Sequence, residues 1–119
     1  ELKGEIVHSR AEDFIKNRRE TFDIALSRAV ASIPTLSEYL IPYVKINGLV
    51  IMYKGEKLQE ELELGLKAIS TLGAKVEKIE EFYLKEVESK RYILLLEKVK
   101  KTDSKYPRGK NLPKTKPII

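Results

Sequence analysis

Phe22-Asp23-Ile24-Ala25-Leu26-Ser27-Arg28-Ala29 places both a strand and the end of that strand. Its first five residues are mostly apolar, the pattern of a strand buried on both faces. The run breaks at Ser27-Arg28-Ala29. The same triplet follows Glu5-Ile6-Val7-His8 as Ser9-Arg10-Ala11. In an open α/β sheet, ligands sit in the crevice beyond the carboxyl ends of the strands. Two arginines delivered to that edge by neighbouring strands read as an anion or cofactor site, and sheet stability asks for neither.

Upstream, Glu5 to Ser9 alternates weakly as a short strand. Ala11 to Lys16 forms a helical turn, and Asn17 to Thr21 is a polar connection. Downstream, Ser32 is placed to cap a helix, with Pro34 in its first turn. Leu36, Leu40 and Tyr43 recur at helical spacing, and Pro42 ends or kinks that helix. Asn47-Gly48 signals a turn before Leu49-Val50-Ile51-Met52-Tyr53, the clearest buried strand, which ends at Lys54-Gly55.

Leu58, Leu62, Leu66, Ile69 and Leu72 make one helical stripe, with Glu60, Glu61 and Lys67 off it. Gly73 stands just past that helix, where a left-handed residue is wanted. Ala74 to Leu84 reads as a strand whose alternation breaks near Ile79, the mark of a bulge. Arg91 to Val99 carries the apolar run Tyr92-Ile93-Leu94-Leu95-Leu96. The short Lys85 to Lys90 connection lets these last two strands pair antiparallel. Beyond Lys100, Pro107, Pro113 and Pro117 among scattered lysines argue against regular structure. The alternation predicts an α/β fold: a mostly parallel sheet over residues 1–100 with a terminal antiparallel hairpin, then a basic Pro/Lys-rich tail over 101–119.

At 119 residues the chain makes one domain, and a chain of this size buries roughly two-thirds of its unfolded surface. It has no cysteine and one histidine, His8. That excludes disulfide frameworks and thiolate metal sites, and argues against zinc hydrolase and His-based triad chemistry. No metal is expected. No apolar run is long enough for a bilayer, and no signal peptide opens the chain, so a cytoplasmic protein is expected. The net charge of +5 is uneven: from Lys98 onward eight Lys and Arg face Asp103 alone. That asymmetry points to a polyanion such as nucleic acid, or to a tail kept basic for solubility.

Local motifs are more specific than element order. His8-Ser9-Arg10-Ala11-Glu12-Asp13-Phe14, Phe22 through Ala31, and Met52-Tyr53-Lys54-Gly55 closely resemble the bacterial small-subunit ribosomal RNA methyltransferase G family, also called glucose-inhibited division protein B. Lys105-Tyr106-Pro107-Arg108, Pro113-Lys114 and Lys116-Pro117-Ile118 resemble its basic C-terminal signature. The resemblance implies the C-terminal half of a Rossmann-like class I methyltransferase, from its third to its seventh strand. The family's Gly-rich loop and the acidic residue ending its second strand have no counterpart, since the six glycines are all isolated, so the resemblance implies a fragment that is inactive by itself. The class's strand order of three, two, one, four, five, seven, six leaves the Phe22–Leu26 strand as an exposed edge. Self-association along that edge, or re-pairing of Glu5–Ser9 with it, is therefore expected.

The resemblance further implies transfer of a methyl group from S-adenosylmethionine to N7 of a guanine in 16S ribosomal RNA. Ala11 and Glu12 then line the adenine pocket, and Arg28 borders cofactor and target base as a catalytic and cofactor-binding residue. Arg10 and Lys54, at strand ends, suit phosphate or guanine O6, with Lys54 also a catalytic candidate. Arg108 suits RNA backbone in the tail. The plain alternative for Arg28 is a surface arginine capping strand carbonyls. Glu12 and Asp13 are adjacent, so they point about 100° apart and share no site. Glu60, Glu61 and Glu63 read as a wet helix face, and His8 as a packed strand residue. Tyr39, Tyr43 and Tyr53 can stack on a base, although Tyr43 and Tyr53 are expected in the core. The competing functions are a non-catalytic RNA-binding module acting through the basic tail, and an inert remnant.

Overall fold

A computed structural model describes residues 19–28 and 31–119. The predicted Glu5–Ser9 strand and the helical turn after it lie outside the described residues, as do His8, Arg10, Ala11, Glu12 and Asp13. The described elements run β1 (Phe22–Ser27), α1 (Ile33–Leu40), a 3-10 turn (Ile41–Tyr43), β2 (Val44–Lys54), α2 (Leu58–Thr71), β3 (Ala74–Leu84), β4 (Ser89–Lys98) and α3 (Leu112–Thr115).

The strands form one mixed sheet in the order β1-β2-β4-β3. β1 and β2 pair in parallel, joined by α1, while β4 inserts antiparallel between β2 and β3. β3 and β4 are the predicted terminal hairpin. A register shift between Val76 and Lys78 is the expected bulge, two residues earlier than the broken alternation suggested. Among the described residues β1 has a neighbour on one side only, and Leu26 is exposed.

The Asn47-Gly48 signal resolves differently from a turn, because β2 runs straight through it. Phe22 pairs with Val44 and Ile24 with Leu49, so β2 bulges here by several residues. Asn47 takes a φ of 76°. A Cβ on Gly48 would meet Val44 Cγ1 at 2.3 Å and the Asp23 carbonyl oxygen at 2.6 Å. Glycine is there for close backbone approach, which the sequence expresses in the same letters as a turn.

α1 begins as expected, with Pro34 in its first turn, but the Ser32 hydroxyl donates to Thr35 Oγ1 at 3.1 Å instead of capping a backbone amide. Leu58, Leu62, Ala68 and Ile69 of α2 are buried, each large side chain being worth about 1.5–3 kcal/mol. Leu66, predicted on that stripe, is half exposed. Gly65 faces inward in its place: a Cβ there would lie 2.4 Å from Ile33 Cγ2, so α1 packs directly onto the α2 backbone. Gly73 follows α2 with a φ of 98°, and its carbonyl accepts from the Val99 and Lys100 amides.

The segment beyond Lys100, expected to lack regular structure, holds only the four-residue α3 and folds back across α1. Thr102 Oγ1 donates to the Leu72 carbonyl at 2.7 Å, and Thr35 Oγ1 donates to the Pro113 carbonyl at 2.8 Å. Tyr106 is buried, and Arg19 donates to the carbonyls of Thr102, Asp103 and Tyr106. Sequence patterns register local periodicity, whereas these are contacts between residues 30 to 90 positions apart.

Candidate functional site

β1 and β2 end side by side, with Ser27 opposite Met52, which brings Arg28 out beside Tyr53. β4 starts where β2 ends, Lys54 lying opposite Tyr92. β3 ends against the same point, with Phe82 opposite Arg91. Four strand ends therefore meet on one edge of the sheet. They enclose a cavity of about 450 Å³ lined by Arg28, Tyr53, Phe82, Leu84, Arg91 and Tyr92, with Lys54, Gly55 and Glu61 completing its wall. The cavity lies beyond the carboxyl ends of β1 and β2, on the edge where the Ser27-Arg28-Ala29 triplet was expected to serve a ligand.

Arg28 is exposed, and its guanidinium carbon lies 5.2 Å from the centre of the Tyr53 ring. A cation over an aromatic face is held by the ring quadrupole. Tyr53 was expected in the core but is partly exposed under Arg28; Tyr43 is buried as expected, edge-on to Phe22 at 5.5 Å. Tyr39 is half-buried, its hydroxyl donating to Asn111 Oδ1 at 3.3 Å.

Lys54 is not the solvent-facing phosphate contact its strand-end position suggested. Its side chain is 4% exposed, and its ammonium donates to the Ala31 carbonyl at 2.6 Å and pairs with Glu61 at 2.9 Å. Glu61 therefore departs from the wet helix face assigned to it, while Glu60 and Glu63 keep it. Charge neutralisation explains the arrangement, since a buried ammonium without a carboxylate would be costly. Lys54 ties the start of α2 to the crossover that leaves Arg28.

Arg91, Phe82 and Tyr92 were not singled out from the sequence. The signal was the same as for Arg28, a basic residue bounding an apolar run. Arg91 stands at the amino end of its strand, however, and antiparallel pairing carries it to the edge where β1 and β2 terminate. Arg91 Nη1 donates to Ser89 Oγ and to the Lys90 carbonyl. Neither Arg28 nor Arg91 has a carboxylate partner among the described residues.

Arg108, expected on RNA backbone, is turned inward. Its Nε donates to Glu38 Oε2 at 2.9 Å, its Nη2 to Glu38 Oε1 at 2.8 Å, and its backbone amide to Oε2 at 2.7 Å. Pairing with Glu38 raises the guanidinium pKa further above its ordinary value, against the opposing effect of burial. Lys105, Lys110, Lys114 and Lys116 remain exposed, so the tail keeps an electropositive outer surface. No group of three or more metal-ligating side chains occurs among the described residues, and none of their helices is long and apolar enough to cross a membrane.

A family model described as rRNA small subunit methyltransferase G matches residues 1–101. Proteins named ribosomal RNA small subunit methyltransferase G are similar along nearly the whole chain. That of Oceanobacillus iheyensis is 50% identical over 113 residues, covering 93% of this chain and 48% of its own. That of Clostridium novyi is 42% identical over 117 residues, covering 97% and 48%. The Bacillus subtilis protein is 46% identical over 113 residues, covering 93% and 47%. The chain thus spans about half the length of the curated relatives it matches, in their C-terminal half. Among solved structures, the M1.HpyAVI–SAM complex superposes with a TM-score of 0.56 at 15% identity, covering 82% of this chain and 54% of that one. The chain accordingly shares its α/β fold with about half of that structure.

Proposed function

Because the chain belongs to the rRNA small subunit methyltransferase G family, we propose that it forms the strand-end half of an enzyme that methylates guanine N7 in 16S ribosomal RNA with S-adenosylmethionine. The observation that carries this reading is the Arg28–Tyr53 pair at the carboxyl edge of the parallel strands. It sits inside the sequence blocks, Phe22 through Ala31 and Met52 through Gly55, that resemble that family.

The fit to S-adenosylmethionine is one-sided among the described residues. Arg28 would offer the donor's carboxylate a complementary charge. Its adenine would fall to Ala11 and Glu12, outside the described residues. When bound, the donor supplies a methyl group on an already activated sulfonium. Guanine N7 carries a free lone pair, so no general base has to remove a proton. What this chain then contributes is position and field. Arg28 fixes the border between donor and base, and Lys54 holds the crossover after Arg28 through the Ala31 carbonyl. Lys54 thereby acts as a positioning residue. A cytoplasmic location, and strand pairing between copies along the β1 edge, belong to the same reading. Sedimentation velocity that shows a single monomeric species at every concentration overturns the pairing.

The test is methyl transfer by the full chain, complemented with the N-terminal half of the Bacillus subtilis relative, from tritiated S-adenosylmethionine to 16S ribosomal RNA, with the label mapped to guanine N7 by borohydride–aniline cleavage. Label at one guanine, lost in Arg28→Ala, supports the reading. No transfer, with no heat of donor binding by titration calorimetry, refutes it.

A further inference from the structure

We infer that the strand-end cavity is the seat of one extruded RNA nucleotide, with Arg91 hooking its phosphate and the Arg28–Tyr53 stack receiving its base. This deepens the proposed RNA methylation and rests on it. Its volume of about 450 Å³ lies inside the roughly 300–1,000 Å³ range of small-molecule sites. Three rings, Tyr53, Phe82 and Tyr92, line it. Single-stranded bases are recognised by stacking on such rings and on arginine planes. Arg28 already lies over Tyr53, so a base that enters meets a cation and a ring together.

Charge decides which ligand the cavity takes. Its cations Arg28 and Arg91 have no carboxylate partner among the described residues. Its one carboxylate, Glu61, is committed to Lys54. A phosphodiester neutralises what the cavity offers. Arg91 is placed for it: the Nη1 atom lies 4.0 Å from where a Cβ on Gly55 would stand, with nothing nearer. The space over the end of β2 is open, and the guanidinium borders it. Bases reached in this way must leave their stack, which single-stranded or looped RNA permits at low cost.

The test compares guanosine with guanosine 5′-monophosphate as probes, by titration calorimetry on the full chain. The wild type is expected to prefer the monophosphate about tenfold, the scale of a charge-assisted hydrogen bond. Arg91→Gln should erase that preference and leave guanosine affinity within about twofold, while Arg91→Lys keeps part of it. Tyr53→Ala should weaken both probes about tenfold or more, and Tyr53→Phe neither. Urea midpoints equal to wild type confirm that each variant folds. Equal binding of the two probes, or an unchanged preference in Arg91→Gln, overturns the assignment. Methyl transfer that persists while the phosphate preference is absent sinks this inference alone. A phosphate preference without methyl transfer sinks only the proposed activity.

Discussion

The carboxylate of Glu38 in α1, with no solvent exposure, is clasped by the guanidinium and backbone amide of Arg108, 70 residues further along the chain. Removing one partner of a buried pair strands the other, at a cost of about 3–5 kcal/mol. Arg108 is 27% exposed, so Arg108→Ala should cost about 3 kcal/mol, near the lower limit. The urea midpoint should fall, and limited proteolysis should begin between residues 105 and 119. A wild-type midpoint would show that the clamp contributes nothing.

Glu20 and Lys98 predict how stability follows pH. The Lys98 ammonium is fully buried, and its three donors are used by the Ile41 carbonyl at 2.9 Å, the Val44 carbonyl at 2.7 Å and Glu20 Oε2 at 3.1 Å. Burial works to raise the Glu20 pKa, but the Thr102 amide and Lys98 outweigh it and leave it below the ordinary value. Its contribution is therefore whole above the unfolded value of about 4.3 and is lost as pH falls through the lower folded value. Burial depresses Lys98 in spite of Glu20. There the unfolded state holds the extra proton, so stability rises with pH up to about 10.4. In urea titrations from pH 3 to 7, Glu20→Gln should lie below wild type near neutrality and converge with it in acid. Parallel curves would contradict this.

These two ion pairs mark the boundary of what sequence could show. β3 has the bounds the alternation set, Ala74 and Leu84, because period and flanking turns are local signals. The positions of Arg28 and of the hairpin followed likewise from element order. Leu66 was misplaced because the α1–α2 contact is made through Gly65 against Ile33, and an apolar stripe does not say which neighbour approaches. Lys54 looked like a ligand-facing cation since nothing in the sequence pairs it with Glu61. The docking of the tail could not be read because its anchors, Glu38, Leu72 and Thr35, belong to other elements.

Gly48→Ala tests the β2 bulge. The new Cβ would sit 2.6 Å from the Asp23 carbonyl oxygen, a backbone atom that cannot swing away. Overpacking of this kind costs about 1–3 kcal/mol. The urea midpoint should fall accordingly, and β1, which donates that carbonyl, should lose hydrogen-exchange protection first. Unchanged exchange across residues 22–27 would mean that β1 and β2 separate freely.

The docked tail should bind RNA through its lysines and not through Arg108. Lys110, Lys114 and Lys116 are exposed, and each phosphate contact adds about 0.7 to the slope of log affinity against log salt on single strands. Replacing all three with glutamine should shrink that slope by about 2. Fluorescence anisotropy with a labelled oligonucleotide reads it, and an unaltered slope places the contact elsewhere.

Lys54→Met separates holding the crossover from touching a ligand. The ammonium sits on the Ala31 carbonyl, three residues after Arg28. Losing it frees that oxygen and leaves Glu61, itself 31% exposed, to water. One stranded buried acceptor costs about 1–3 kcal/mol. Methionine fills the volume, so the loss should be confined to the residues between β1 and α1, seen as faster proteolysis at positions 28–32. Because Lys54 reaches Arg28 only through the backbone, guanosine and its monophosphate should weaken by the same factor. A selective loss of the monophosphate would instead make Lys54 a phosphate ligand, and would mean that its bond to Ala31 gives way when RNA binds.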